Sequence, residues 1–482
     1  MRLKEITLEG KRFIFSPQNY SRLTNNDDPE LTEPFVSVLI GPNASGKSRC
    51  LSKIADAFRR LHDKRTGKKL QGDFVLDYES EELQIRINSN DYNSDGLQLP
   101  NKVITISNSL SDKFPLKAKI SDLDFYEYIG SRDSGLDKEK YSIYALVDTL
   151  QEIGHNDNYT KKTKEVFEYL GLEPKIWIKL KKTTGGNSNV FELLFNPNTT
   201  NDDLINGIVS NPRFRRLSQS HQSEVRRNLS NQDYLKGLRI FINENRASIL
   251  SDSQSNTFSL SFSKPEGLSE FQRYYKFFTL LRKLNVISYE TINVKKANST
   301  QRYNLLESSS GEVNLLTTFV RTIPHLDHNA LILIDEPEIS LHPNWQIQYI
   351  DKLKELLDGY FNVHVIIATH SPYIVSDVNP NNCWVSKIKL EEEEVKAKLL
   401  PVTPYGWSVE DILWNVFKVP TTRNYYLSEM ISDILEKLSK PEKSENDIVA
   451  LKNKRDELEN IKNKLKVYDP LRKVIEIVLE KI

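Results

Sequence analysis

Three short stretches hold residues whose types and spacing suit phosphate chemistry. The first is Gly41-Pro42-Asn43-Ala44-Ser45-Gly46-Lys47-Ser48, the pattern G-x-x-x-x-G-K-S. Phosphate must approach such a loop's main chain closely, so glycine stands at its turns. Backbone N–H groups and the next helix's N-terminus supply positive potential. Lys47 would reach the β- and γ-phosphates, Ser48 would give its hydroxyl to magnesium, and Arg49 follows as a further nucleotide contact. The second stretch is Asp335-Glu336-Pro337. Asp335 is placed to serve magnesium, and Glu336 to polarise the attacking water as general base. The third is His370, in Thr369-His370-Ser371-Pro372, which would contact the γ-phosphate and sense hydrolysis.

Each stretch needs an element to hold it. Residues 35–40, Phe-Val-Ser-Val-Leu-Ile, read as a strand buried on both faces and run straight into the loop. Residues 49–61 then read as a helix with Leu51, Ile54, Ala55 and Phe58 on one face. Residues 330–334 form a second buried strand that puts Asp335 at its C-terminal end, and residues 363–369 a third that ends at His370. Upstream lies Glu307-Ser308-Ser309-Ser310-Gly311-Glu312, followed by a helical pattern with Val313, Leu315, Leu316, Phe319 and Val320. Serines and a glycine at a helix N-terminus make a second anion site. Ser-Ser-Ser-Gly alone is a common linker fragment; its place between the loop and the acidic strand is the informative part.

In this order the motifs resemble the ABC-ATPase superfamily over roughly residues 1–60 and 300–380. Glu338-Ile339-Ser340-Leu341-His342-Pro343 is similar to the Glu-x-x-Leu-His-Pro of the soluble SMC, RecF and OLD branch. The Ala-Thr-His-Ser-Pro switch and the long gap from Ser48 to Ser308 also favour that branch over transporter cassettes. The resemblance implies an α/β fold: an ABC-ATPase head with a mixed β-sheet and phosphate-loop core, a largely helical inserted lobe and a C-terminal helical tail. It also implies a composite site. Ser309, Ser310, Gly311 and Glu312 of one subunit would cap ATP held by the phosphate loop of another. Ser308 stands where the family has Leu, and Ser310 where it has Gly. Asn108 is the one candidate for the Gln-loop position.

Composition narrows the class further. The 482 residues are 38% hydrophobic and 27% charged, with 66 basic and 66 acidic side chains. That balance gives no global argument for nucleic-acid binding. Two distant cysteines, Cys50 and Cys383, make neither a disulfide framework nor a zinc site. The N-terminus lacks a signal-peptide pattern and no apolar run approaches a membrane span, so a cytoplasmic location is expected.

The expected divisions are residues 1–135 and 261–385 for the two halves of the head, 136–260 for the helical insertion and 386–482 for a helical, partner-binding tail. Prolines at 100, 115, 174, 197, 212 and 265 argue against a long coiled coil in the insertion. Two basic clusters stand there. Lys161, Lys162 and Lys164 continue into Lys175, Lys179, Lys181 and Lys182; Arg213, Arg215, Arg216, Arg226 and Arg227 surround Phe214. The second is either a phosphate contact or a solvated helix face. In the tail, Leu451, Leu458 and Leu465 repeat by sevens, for a partner or for the chain's own core.

Stretches around residues 110–115 and 126–132 are similar to ATPases of antiphage systems of the Septu and PARIS types, and those around 408–413 and 421–425 to the Septu type. That resemblance implies ATP and Mg2+ as ligands, a head-to-tail dimer or larger oligomer, and a separate HNH-type nuclease, with DNA as a further candidate partner. A PARIS-like sensor holding a Toprim toxin and a RecF-type repair ATPase remain open. No Toprim or His-Asn-His pattern is legible, so the chain itself is not expected to cut nucleic acid.

Overall fold

The computed structural model describes residues 1–8, 11–17, 33–42, 45–62, 74–80, 83–88, 98–109, 111–116, 125–130, 138–153, 156–183, 188–216, 219–250, 257–262, 266–391, 394–401, 403–417, 425–439, 445–465 and 470–481. Fifteen strands are named in chain order among these residues. They are β1 Arg2–Leu8, β2 Lys11–Ile14, β3 Phe35–Ile40, β4 Phe74–Ser80, β5 Leu83–Asn88, β6 Val103–Ser107, β7 Tyr126–Ile129 and β8 Lys175–Lys182. The rest are β9 Thr257–Ser261, β10 Ile287–Lys295, β11 Arg302–Asn304, β12 Leu331–Asp335, β13 His364–Ala368, β14 Cys383–Glu391 and β15 Glu394–Leu399.

The main sheet has the order β15-β14-β3-β13-β12-β6-β7. Its strands are parallel except β15, which returns antiparallel along β14. Every residue of β3, β6, β12 and β13 is buried. Their continuous apolar runs are what a parallel sheet covered on both faces demands. Helix Lys47–His62 packs its Leu51, Ile54, Ala55 and Phe58 face into a core shared with a second, antiparallel sheet, β2-β1-β4-β5. The fold is α/β with a mixed sheet, as expected.

One buried histidine locks the strands together. Leu3 N–H donates to His364 Nδ1 at 2.9 Å, and Ser37 Oγ donates to the Phe15 carbonyl at 2.8 Å. The Ser37 hydroxyl has spent its proton, so it accepts from His364 Nε2–H at 2.8 Å. Only the neutral ring fits, and burial, then the charges of the N-terminus and Arg2, hold its pKa well below the ordinary 6.5. Below pH 6.5 the unfolded chain therefore binds a proton that the folded one refuses. The stability this residue contributes is complete above pH 6.5 and is lost as pH falls, by at most about 1.4 kcal/mol per unit. Urea unfolding of wild type and His364→Gln from pH 7.5 to 5.5 should show the gap between them narrowing. A constant gap would remove the neutral-ring assignment.

The insertion holds more than helices. Lys138–Ile153, Asp157–Tyr169, Asn201–Ser210, Gln219–Leu229 and Gln232–Leu250 are helical as read, but β8 and β9 join β10 and β11 in a third, antiparallel sheet, β11-β10-β8-β9. A boundary at residue 260 falls inside β9, and the lobe's sheet continues to Asn304. A boundary at 385 likewise falls inside β14, whose hydrogen bonds to β3 keep it in the head. The compact units divide between Gly406 and Trp407. In the second unit, helices Tyr425–Ser439, Glu445–Lys464 and Pro470–Lys481 share a core of Met430, Ile434, Leu451, Leu458, Ile475 and Val478. The leucine repeat thus packs on its own neighbours. Within the described residues no helix is long and apolar enough to cross a membrane.

Candidate functional site

Strands β3, β13 and β12 are adjacent and parallel, so their C-terminal ends open on one edge of the sheet. The register aligns Leu39 with Ala368 and Ala368 with Asp335. Phosphate loop, switch and acids therefore emerge side by side, where ligands bind in sheets of this kind.

Across that edge Ser48 Oγ donates to Asp335 Oδ1 at 2.9 Å. Burial pushes the Asp335 carboxyl up to about 7; the Ser48 bond opposes this, and Glu336, Asp112 and Glu338 add to it. Two hard oxygens and an under-compensated carboxylate suit a small divalent cation. Lys47 is buried and its amine donates to the carbonyls of Gly41 at 2.9 Å and Pro42 at 3.1 Å. Burial brings its pKa down to about 8 against the pull of Glu336, Asp335 and Glu338.

The loop fits a phosphate. Gly46 has φ +94°, which few side chains tolerate, and a Cβ on Gly41 would lie 3.0 Å from both Ile388 and the Ser45 hydroxyl. Ser45 Oγ is buried with no hydrogen-bond partner, a donor awaiting an acceptor. Asn43 and Ala44 lie outside the described residues, and Arg49 is exposed on the first turn of the helix.

Glu336 adopts φ +50° and its N–H donates to the Ala368 carbonyl at 2.9 Å. A left-handed non-glycine residue costs on the order of 1 kcal/mol, strain that tends to persist at functional sites. The charge of Glu336 acts on Lys47, Asp335 and His370 alike, so the four form one cluster. His370 is half-buried; burial first, then Lys47, lowers its pKa against Glu336. It is thus neutral at pH 7, with one N–H to offer a phosphate oxygen.

The serine-glycine segment meets this cluster through the turn after β12 rather than through the phosphate loop: a Cβ on Gly311 would lie 2.2 Å from the Ser340 carbonyl oxygen. Ser309 is exposed and caps helix Ser310–Thr322, accepting from Glu312 N–H at 3.4 Å. Glu312 is turned into its own lobe, bound by Lys296 and by the Tyr303 hydroxyl at 2.9 Å. Among the described residues no hydrogen bond joins Ser309, Ser310, Gly311 or Glu312 to residues 41–48. Asn108, after β6, meets Thr318 of the same helix at 3.4 Å.

Two acids of the site were not assigned roles from sequence. Glu338 lies within the Glu-x-x-Leu-His-Pro stretch, and its carboxylate binds Thr369 and His370 directly. Asp112 is buried, accepting from Tyr128 at 2.7 Å and Phe114 N–H at 3.0 Å, and acts on Asp335. Four of the seven lysines have hydrogen-bond or ion-pair partners among the described residues. Lys162 caps a helix end through the Leu356 and Asp358 carbonyls at 2.8 and 2.9 Å, while Lys161, Lys164 and Lys179 pair with Glu165, Glu168 and Glu290. The five arginines differ: all are exposed, none has an ion-pair partner among the described residues, and Arg226 lies over buried Phe214 at 5.1 Å.

A phosphate loop facing an acidic strand end across a parallel sheet defines a nucleotide-binding α/β ATPase head. The chain belongs to the AAA ATPase domain family, whose model matches residues 18–375. It resembles Septu protein PtuA of Bacillus thuringiensis, with 32% identity over 154 residues, 31% of this chain and 36% of that protein. Protein ea59 of Escherichia phage lambda is 32% identical over 126 residues, covering 26% and 23%. The retron Ec83 probable ATPase of Escherichia coli is 24% identical over 384 residues, covering 73% and 67%. The chain thus spans about a third of the matched PtuA and about a quarter of ea59.

Proposed function

We propose that this chain binds ATP with magnesium, hydrolyses it between two copies of itself, and serves as the ATPase subunit of an antiphage defence complex that controls a separate HNH-type nuclease. One observation carries the ATP site: Lys47, Ser48, Asp335, Glu336 and His370 converge at three adjacent strand ends. The similarity to PtuA supports the defence role. Ser309 is exposed and makes no hydrogen bond to the phosphate loop among the described residues, which supports a site completed in trans.

In this reading Lys47 leaves the Gly41 and Pro42 carbonyls for the β- and γ-phosphate oxygens. Ser48 and Asp335 would hold magnesium, which would neutralise phosphate charge. Glu336 takes the proton of the attacking water as its oxygen bonds to the γ-phosphorus and the bond to ADP breaks. Neutral His370 donates its N–H to the γ-phosphate. Capping by the partner copy's serine-glycine segment ties assembly to nucleotide state.

The test is the native mass of the complex isolated with its genomic neighbours, with and without ATP, and the identity of the co-purifying chain. An oligomer that changes with ATP and carries an HNH protein is the expected result. A Toprim protein instead would replace the nuclease assignment. The five exposed arginines favour a second reading, a RecF-type DNA-stimulated ATPase. A partnerless dimer whose turnover rises with DNA, steeply less so at high salt, would establish it over the first.

A further inference from the structure

The turn that follows β12 is fastened to the switch that follows β13. Glu338 accepts the His370 main-chain N–H at 2.6 Å and the Thr369 hydroxyl at 2.8 Å. Both donors belong to the switch and the acceptor to the turn. A second tie runs beside it: Ser371 Oγ donates to Gln346 Oε1 at 2.5 Å, and Gln346 Nε2 donates to the Leu341 carbonyl at 2.8 Å. The turn is tightly wound. Ile339 N–H reaches the Glu336 carbonyl at 3.3 Å and Leu341 N–H the Glu338 carbonyl at 2.9 Å, while Ser340 sits at φ +66°.

Its outer side touches the serine-glycine segment. A Cβ on Gly311 would lie 2.2 Å from the Ser340 carbonyl oxygen. The contact is main chain against main chain, so no side chain can rotate to absorb a displacement. A shift at the start of helix Ser310–Thr322 must move the turn, and packed segments of this kind pass on small shifts rather than damp them.

We propose that Glu338 is a positioning residue that transmits the state of the serine-glycine segment, through the turn at Ser340, to His370. Capping of nucleotide by that segment would then be reported to the switch histidine of the same subunit. The carboxylate is suited to the task. Burial raises its pKa, and the His370 and Thr369 bonds oppose that rise, so loss of either donor leaves its charge poorly satisfied. Two charge-assisted bonds to adjacent residues fix direction as well as distance. The functional half of the proposal rests on the ATP-site reading above; the coupling half does not.

The experiment compares wild type, Glu338→Gln, Glu338→Ala, His370→Ala and the double variant Glu338→Ala/His370→Ala in the full chain. Two quantities are read: ATP turnover with kcat and KM separated, and amide hydrogen exchange of residues 369–371. Glu338→Ala is expected to lower kcat about tenfold or more with KM within about twofold, because it acts through a group at the reacting phosphate. The Gln variant keeps one acceptor oxygen and should fall between. The double variant should be no slower than His370→Ala, since both act at one point. Exchange at residues 369–371 should rise about tenfold in Glu338→Ala and in Gly311→Ala, and less in Glu338→Gln, while residues 364–367 stay protected. Additive kcat losses, or unchanged exchange at His370 in the Ala variant, would overturn the coupling. Unchanged exchange in Gly311→Ala would overturn its origin in the serine-glycine segment. If wild type hydrolyses no ATP, the ATP-site reading fails while the exchange data still decide the coupling.

Discussion

Replacing Glu336 with Gln should slow ATP turnover by about 10²–10⁴-fold while leaving ATP bound. The amide matches the carboxylate in shape, so the main-chain geometry, φ +50° and the bond to Ala368, is preserved. What disappears is the base that accepts the water's proton. Removing a negative charge beside Lys47 and His370 also makes the site more hospitable to triphosphate. The variant should therefore accumulate as an ATP-bound assembly, visible as a larger native mass that persists after wild type has fallen apart. Single-turnover hydrolysis with γ-labelled ATP is the direct measurement. Turnover equal to wild type would transfer the base to another residue, with Glu338 next in line.

Lys47→Ala should abolish nucleotide binding, with affinity down by about a hundredfold or more, as when one partner of a buried, hydrogen-bonded charge pair is truncated. The amine is desolvated and, at a pKa of about 8, still mostly charged at pH 7. A triphosphate would raise that value and draw the ammonium off the two carbonyls. The alanine offers neither charge nor donor, and the Gly41 and Pro42 carbonyls then face the phosphates directly. Calorimetric titration with ATP would show it, and retained affinity would refute the loop's role. The same variant tests the composite site. Mixed with Ser309→Ala, it should recover part of the activity, because one of the two sites in each hybrid pair joins an intact loop to an intact cap. No recovery would place the whole site within one chain.

The catalytic strands were legible because β3, β12 and β13 are buried on both faces and so read as unbroken apolar runs. The β8 strand was not read, although its signal was present. Ile176, Ile178 and Leu180 alternate with Lys175, Lys179 and Lys181, and the apolar set is buried while the lysines lie outward. Attention to the charges hid the period of two. Glu338 illustrates a deeper limit. Its partners lie 31 and 32 residues away on another strand end, and no local pattern specifies such a bond. The tail's boundary was misplaced for a related reason: β14 belongs to the head through pairing with β3, a contact between residues nearly 350 positions apart.

The bond between Ser48 and Asp335 spans 287 residues of sequence. Strands β3 and β12 are not neighbours in the sheet; β13 lies between them and pairs with both. During synthesis at about 5–20 residues per second, the phosphate loop therefore waits roughly 15–60 s for its acidic counterpart. Contacts of such long range form late and raise the folding barrier. A nascent or truncated chain ending before residue 364 lacks β13, the strand that joins β3 to β12. The three strand ends of the candidate site can therefore come together only after β13, the last of them in the chain, has been made.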